Sequence, residues 1–261
     1  MENRNPFQVR EVTSRRGGPA KQPLSRDAIV AEALELLLRE GLEGMSLRKV
    51  AQALDTGPAS LYAYVENLQE LQALVLDRAL AGVETAADGS RKDWRRRLTN
   101  LLESYLEVLA RRPGLAQLAM NTIAAGPNAL RIIEALLGLL EEGGVDRATA
   151  AWAVDLLSLY VTAIAVEESN RRQHKTDPLG PIAQVIGAVS PREHPRVHAA
   201  RDELLSGGPV RMTWALEVLL EGILQTPRPQ SKGRPRPPAK VRARKGAKKT
   251  PVRAEKRGAQ P

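Results

Sequence analysis

Few side chains in this 261-residue sequence combine a reactive type with a useful spacing. Three histidines are present. His194 and His198 stand four positions apart, which would set two imidazoles on one helical face, and His174 offers a third nitrogen ligand. Pro195 interrupts that pair and no nearby acid completes a ligand set, so no metal site is expected. Cysteine is absent, which excludes disulfides, thiolate zinc sites and cysteine nucleophiles. Nor is there a glycine-rich phosphate loop, a nucleophile elbow or a pair of catalytic carboxylates. The sequence therefore predicts no enzyme and no cofactor.

What remains is charge, and it is unevenly placed. The formal net charge is +9. From Arg228 to residue 261 there are 13 Lys or Arg against the single Glu255, so residues 1–227 are left at −3. Residues 1–26 carry +4, including Arg15, Arg16 and Lys21, and residues 27–227 carry −7. Two basic stretches flank an acidic body, a distribution that points to a polyanionic partner.

The body must be helical to position anything. Aromatic residues make up only 3% against 43% hydrophobic overall, and Leu and Ala recur, a composition that suits helices rather than strands. Helix signals follow one another. Ser25 is a good N-cap with Asp27 in the first turn, Leu24 and Ile29 can form a staple, and Ile29, Ala33, Leu36 and Leu37 form a buried stripe before a stop at Gly41. Ser46 caps a second, two-turn helix whose apolar face is Leu47, Val50, Ala51 and Leu54. After Asp55-Thr56-Gly57, Pro58 starts a third short helix ending near Tyr64, and a fourth begins beyond Asn67. Further helical patterns fall at 92–110, 114–125, 127–142, 146–172, 179–189, 195–206 and 209–225, separated by Gly and Pro breaks. Residues 1–23 and 227–261 lack apolar periodicity and are expected to be disordered in isolation. No h-region and no unbroken run of eighteen apolar residues occurs, so the expected location is the cytoplasm, without a membrane partner.

Two short helices joined by a tight turn beneath a longer first helix are the geometry that offers a recognition helix to the DNA major groove. The stretch SLRKVAQALDTGPASLYAYVENLQELQALVLDRAL, residues 46–80, resembles the DNA-binding domain of the TetR (tetracycline repressor) family, and with the first helix the likeness covers residues 25–80. The resemblance implies that Arg48, Gly57, Pro58 and Ser60 face bases or nearby phosphates, that the Tyr62 hydroxyl bonds a phosphate and that Tyr64 touches the backbone. Those roles suit the side chains, since Arg48 can fork onto guanine O6 and N7 and a Ser60 hydroxyl can donate or accept. Plain packing between helices is the alternative for both tyrosines. Leu68 stands where the family usually has a lysine, which removes one phosphate anchor. Arg15, Arg16 and Lys21, just before the first helix, could enter a minor groove or track phosphates, or simply solubilise the arm.

For the rest of the chain the resemblance implies an all-α architecture: an N-terminal three-helix helix-turn-helix domain, residues 24–80, and a larger helical-bundle domain, residues 81–226, for ligand binding and dimerisation. The last long helices would pair with those of a second copy, through Ala150, Ala153, Val154, Leu157, Val161 and Ile164 and through Trp214, Val218 and Ile223. A small-molecule pocket is expected in the bundle, with Trp94, Leu98, Tyr105, Met120, Trp152, Leu156 and Tyr160 as walls and Asn121 as a polar contact, although core packing would place such residues equally well. The partners so implied are a double-stranded DNA operator, a second copy and a small-molecule effector. The basic stretch resembles the tails of DNA-compacting proteins and would add salt-sensitive affinity without sequence choice. Two readings follow: a repressor released from a palindromic operator by an inducer, or a nucleoid-associated architectural protein dominated by its basic segment.

Overall fold

The computed structural model describes residues 6–7, 24–85, 89–112, 114–174, 179–206 and 208–229. Arg15, Arg16, Lys21, the basic stretch beyond residue 229 and the side chain of His174 lie outside them. The regular elements among the described residues are all helical.

Helix α1 (Arg26–Glu40) starts where Ser25 Oγ accepts from the Ala28 N–H, and it ends as the Gly41 N–H bonds to Leu37 O at 2.9 Å. Ser46 repeats the cap for α2 (Leu47–Ala53), its hydroxyl accepting from Lys49 N, and Asn67 repeats it for α4 (Leu68–Leu80) by accepting from Glu70 N. Between them α3 is a single turn, Pro58–Leu61, shorter than the sequence pattern suggests. The N–H groups of Tyr64 and Val65 both close on Leu61 O, at 2.9 and 3.0 Å, which tightens the chain into a turn. The stripe Ile29, Ala33, Leu36 and Leu37 is buried, together with Val50, Ala51, Leu61 and Val65.

Eight helices carry the remaining patterns. These are α5 (Trp94–Ala110), α6 (Leu115–Asn121), α7 (Pro127–Glu142), α8 (Arg147–His174), α9 (Leu179–Gly187), α10 (Pro195–Ala199) and α11 (Arg201–Leu205), and α12 (Gly208–Gln225) closes the described chain. Two boundaries differ from the sequence reading. Helix α6 stops at Asn121 because that side chain donates to Gln117 O at 2.9 Å and Thr122 turns extended. The segment expected as one helix at 195–206 breaks at Ala200, whose φ of −100° and ψ of 13° end one helix and open the next. Helix α9 packs on α10 and α11, whereas α8 packs on α5, α6, α7 and α12.

The α8 stripe expected to meet a second copy is instead buried within this chain. Ala150, Ala153, Val154, Leu157 and Val161 are at most 8% exposed, and Ile223 of α12 is likewise in the core. The side of α8 left outward carries Trp152, Leu156 and Leu159, and that of α12 carries Val210, Trp214 and Val218. Helix α8 is long and apolar enough to cross a membrane by length and composition. Its inward stripe, packed against four helices, accounts for that character in a core helix.

Two close approaches fix how α1 and α4 meet the body. Gly114 opens α6 at φ +77°, and a Cβ there would lie 2.7 Å from Leu42 N and 3.1 Å from Leu37 Cδ1, so only glycine lets the α5–α6 turn seat on the end of α1. Gly126, before α7, has no room for a side chain either: a Cβ would fall 2.3 Å from Asp77 Oδ1 and 2.5 Å from Phe7 Cε1. Phe7 thus packs against the core at the same place where α4 meets α7.

Candidate nucleic-acid interface and effector cleft

The α2–α3 turn is built by backbone geometry. Asp55 takes a positive φ of 48°, its N–H bonds to Gln52 O at 3.0 Å and the next N–H, of Thr56, reaches back to Ala51 O at 2.9 Å. That pair of bonds closes α2 with a left-handed residue of the kind usually filled by glycine, and aspartate is among the few others that tolerate it. Gly57 has an ordinary φ of −84°, and a Cβ there would meet nothing within 4 Å. Ala51, fully buried, gives α2 its small residue against the core, whereas Gly57 opens outward.

The other candidate DNA-facing residues divide by exposure. Arg48, Gly57 and Pro58 are exposed, Tyr62 is 54% exposed and Ser60 is partly so. No ion pair or hydrogen bond engages the Arg48 guanidinium among the described residues. Its neighbour Lys49 is occupied, with Nζ 2.7 Å from Glu40 Oε2, and this contact above all holds the Glu40 carboxyl below its ordinary range. Tyr64 is half-buried and packs against the core. Several acids of the first four helices are engaged within the chain: Glu40 is paired with Lys49, Glu70 with Arg26 at 3.1 Å, and Asp77 is turned into the body.

Asp77 ties the two halves together. It is 5% exposed, and Oδ1 accepts from the N–H groups of Asn128 and Ala129, both at 3.0 Å, while Oδ2 accepts from Asn128 Nδ2 at 3.0 Å. A carboxylate from α4 therefore caps α7, where the helix dipole favours negative charge. One turn on, Arg131 donates to Leu80 O, Ala81 O, Val83 O and Thr85 Oγ1, clasping the end of α4.

A cleft of about 1060 Å³ opens between α5, α8 and the first turns of α12. Leu106, Tyr160, Ile164 and Met212 give it apolar surface, and Ala79 and Gly82 bring the end of α4 to its wall. Its rim is charged: Arg111 pairs with Glu107, and Arg171 and Arg172 both pair with Glu168. Of the pocket residues expected from sequence, Tyr160 lines this cleft, and burial together with Glu167 raises the pKa of its phenol. Tyr105 is outside its lining, with its hydroxyl 3.2 Å from Thr162 Oγ1 and its pKa raised by burial.

The structure distributes the others elsewhere. Leu98 is fully buried in the core, and Trp94 lies under Gly143 with the Arg95 guanidinium 5.2 Å from its ring. Met120 is 41% exposed, Asn121 is spent on capping α6, and Trp152 and Leu156 look outward from α8. The cleft residues missed from sequence had one signal, the paired arginines at 111–112 and 171–172, which follow α5 and lie in the last turn of α8. His194 precedes α10 and its carbonyl accepts the backbone N–H of His198 at 3.0 Å. Among the described residues no three His, Asp or Glu side chains cluster as a metal ion would require.

Comparison with known proteins places this geometry. Residues 87–226 match the model of the tetracyclin repressor-like C-terminal domain. The chain is 34% identical over 171 residues to the HTH-type transcriptional repressor DrrR1 of Streptomyces coeruleorubidus, a match spanning 63% of this chain and 63% of that repressor. It is 31% identical over 169 residues to an HTH-type transcriptional regulator of Saccharopolyspora erythraea, covering 64% of this chain and 71% of the relative. Among solved structures, the TetR family protein ActR of Streptomyces coelicolor in complex with (S)-DNPA superposes with a TM-score of 0.71 at 32% identity, over 78% of this chain and 99% of ActR. ActR has also been solved with actinorhodin.

Proposed function

The chain belongs to the TetR family of transcriptional regulators, and from that premise we propose that it is a repressor that leaves a palindromic operator when a small molecule occupies its cleft. Residues 24–80 would read DNA and residues 81–226 would bind the effector and a second copy. The observation that carries this reading is the exposure of Arg48, Gly57, Pro58 and Tyr62 on the α2–α3 pair, whose apolar side is fully buried. Arg48 is the base-reading candidate, by a bidentate contact to guanine, and Tyr62 a phosphate-positioning one. The half-buried Tyr64 is better suited to holding α3 against the core. Arg15, Arg16 and Lys21 would extend the interface from the arm before α1.

Dimerisation is supported by the outward apolar stripes of α8 and α12. A helix apolar on both its inner and outer sides needs a second partner, and a two-fold pair of such helices buries both stripes while spacing two reading heads for two half-sites. The complexes of ActR with (S)-DNPA and with actinorhodin support a small-molecule effector for this chain as well. The cleft is sized for one and touches the last turn of α4 at Ala79. An effector would release DNA by the ratio of its affinities for the two conformers, and Asp77 and Arg131 are the contacts through which α4 would register a change in the body. Such a protein works in the cytoplasm, associated with the nucleoid, and as a regulator rather than an enzyme.

Selection of genomic fragments by the purified full chain at physiological salt tests this reading. Enrichment of fragments sharing one short palindrome is the expected result. Fragments without a common motif would overturn it.

A further inference from the structure

Arg228, the last residue before the basic run 229–261, is held at the end of the body away from the α2–α3 pair. The turn that follows α5 seats on the end of α1, as the Gly114 contacts with Leu37 and Leu42 require. The opposite end of α5 is fastened to the last turns of α12: Arg95 reaches Glu217 at 3.2 Å and Glu221 at 2.6 Å. Seventeen residues of α5 separate the two ends, about 25 Å at the helical rise. Just past α12, Arg228 is fixed in place. Its N–H donates to Thr149 Oγ1 at 2.8 Å and its guanidinium lies 4.7 Å from the centre of the Trp152 ring. The next 33 residues carry 12 Lys or Arg and one Glu.

We propose that this segment binds a second DNA duplex, so that a regulator seated on one duplex tethers another at its far side. Duplex DNA carries about one negative charge per 1.7 Å of axis, so a net charge of +11 over the segment matches the phosphates along about 19 Å of duplex. An unpatterned run of Lys, Arg and Pro reads no base edges, so the second duplex is taken without regard to sequence. Both reading heads of a two-fold dimer face one operator. Both Arg228 anchors therefore start from the opposite side, and two copies bring two such segments. The body itself, residues 27–227, carries a charge of −7 and adds nothing to the attraction for a second duplex.

This inference rests on the operator-reading role proposed for α2 and α3, and the test separates the two. A genomic fragment enriched in the selection above is immobilised, loaded with the full chain, and offered a labelled random-sequence duplex. The same is done with a full-length variant in which every Lys and Arg from Lys232 to Arg257 is replaced by glutamine. The native chain is expected to capture the second duplex, with an affinity that falls at least about a thousandfold between 50 and 200 mM salt. The variant should stay on the immobilised fragment with affinity within about threefold of the native value while capture drops at least tenfold. Capture that survives in the variant overturns the inference. So does a variant that loses the immobilised fragment in step with capture, because the segment then grips the operator itself. Failure of both chains to be retained on the fragment overturns the operator-reading role and the tether together.

Discussion

Single side chains decide how tightly the reading head is joined to the body, and Asp77 has the largest share. It holds two backbone N–H groups of α7 and one side-chain amide in a nearly dry place. Replacing it with alanine removes the cap and strands those donors. Asp77→Ala is predicted to cost about 2–3 kcal/mol in urea unfolding. Tyr105 makes a gentler, pH-dependent contribution. Its pKa is raised by burial, so the folded state prefers the neutral phenol. The sign follows: stability is intact below the ordinary tyrosine pKa of about 10 and is lost as pH rises beyond it, where the unfolded chain ionises first. Tyr105→Phe should cost about 1 kcal/mol at neutral pH, through the lost bond to Thr162, and should lessen the alkaline loss of stability.

Among elements, the α2–α3 turn turns on one backbone conformation. Asp55 occupies the left-handed region, which a β-branched side chain resists. Asp55→Val is predicted to destabilise the protein by about 1–2 kcal/mol, visible as a lower Tm. This element was largely legible in the sequence. Ser25, Ser46 and Asn67 announced three helix starts because a capping side chain acts within its own turn, and local signals survive without knowledge of the fold. The exposed Arg48 and Tyr62 were legible through a motif spanning one domain. The outward apolar stripe of α8 was not. Helix α8 is apolar on its inner and outer sides alike, so its periodicity does not say which side the chain itself covers, and the stripe from Ala150 to Val161 was assigned to a second copy. The cleft was hidden for a related reason: Leu106, Ile164 and Met212 come from three helices distant in sequence, and their juxtaposition is a property of packing. Trp94 and Leu98 were drawn into the expected pocket by type, yet large apolar side chains near a helix start serve the core equally well.

At the scale of the molecule, the account requires two copies. Trp214 is 65% exposed and Val218 50% exposed on α12, and a charge placed there should prevent the stripe from being covered. Trp214→Glu is expected to shift sedimentation from dimer to monomer and to weaken operator binding by at least tenfold, since one half-site contributes only part of the contacts, while circular dichroism stays helical. A monomeric native chain at micromolar concentration would contradict this part of the account.

The most direct test of the central claim is a hydroxyl-radical footprint on the enriched palindrome, comparing the native chain with Arg48→Ala. The account predicts two protected half-sites whose centres lie one helical turn, about 10 base pairs, or a multiple of it apart. It also predicts that Arg48→Ala weakens binding by about 1–3 kcal/mol per half-site and relaxes the preference for guanine at one symmetric position. Unbroken protection without two-fold symmetry, or a footprint and sequence preference unchanged by Arg48→Ala, would contradict it.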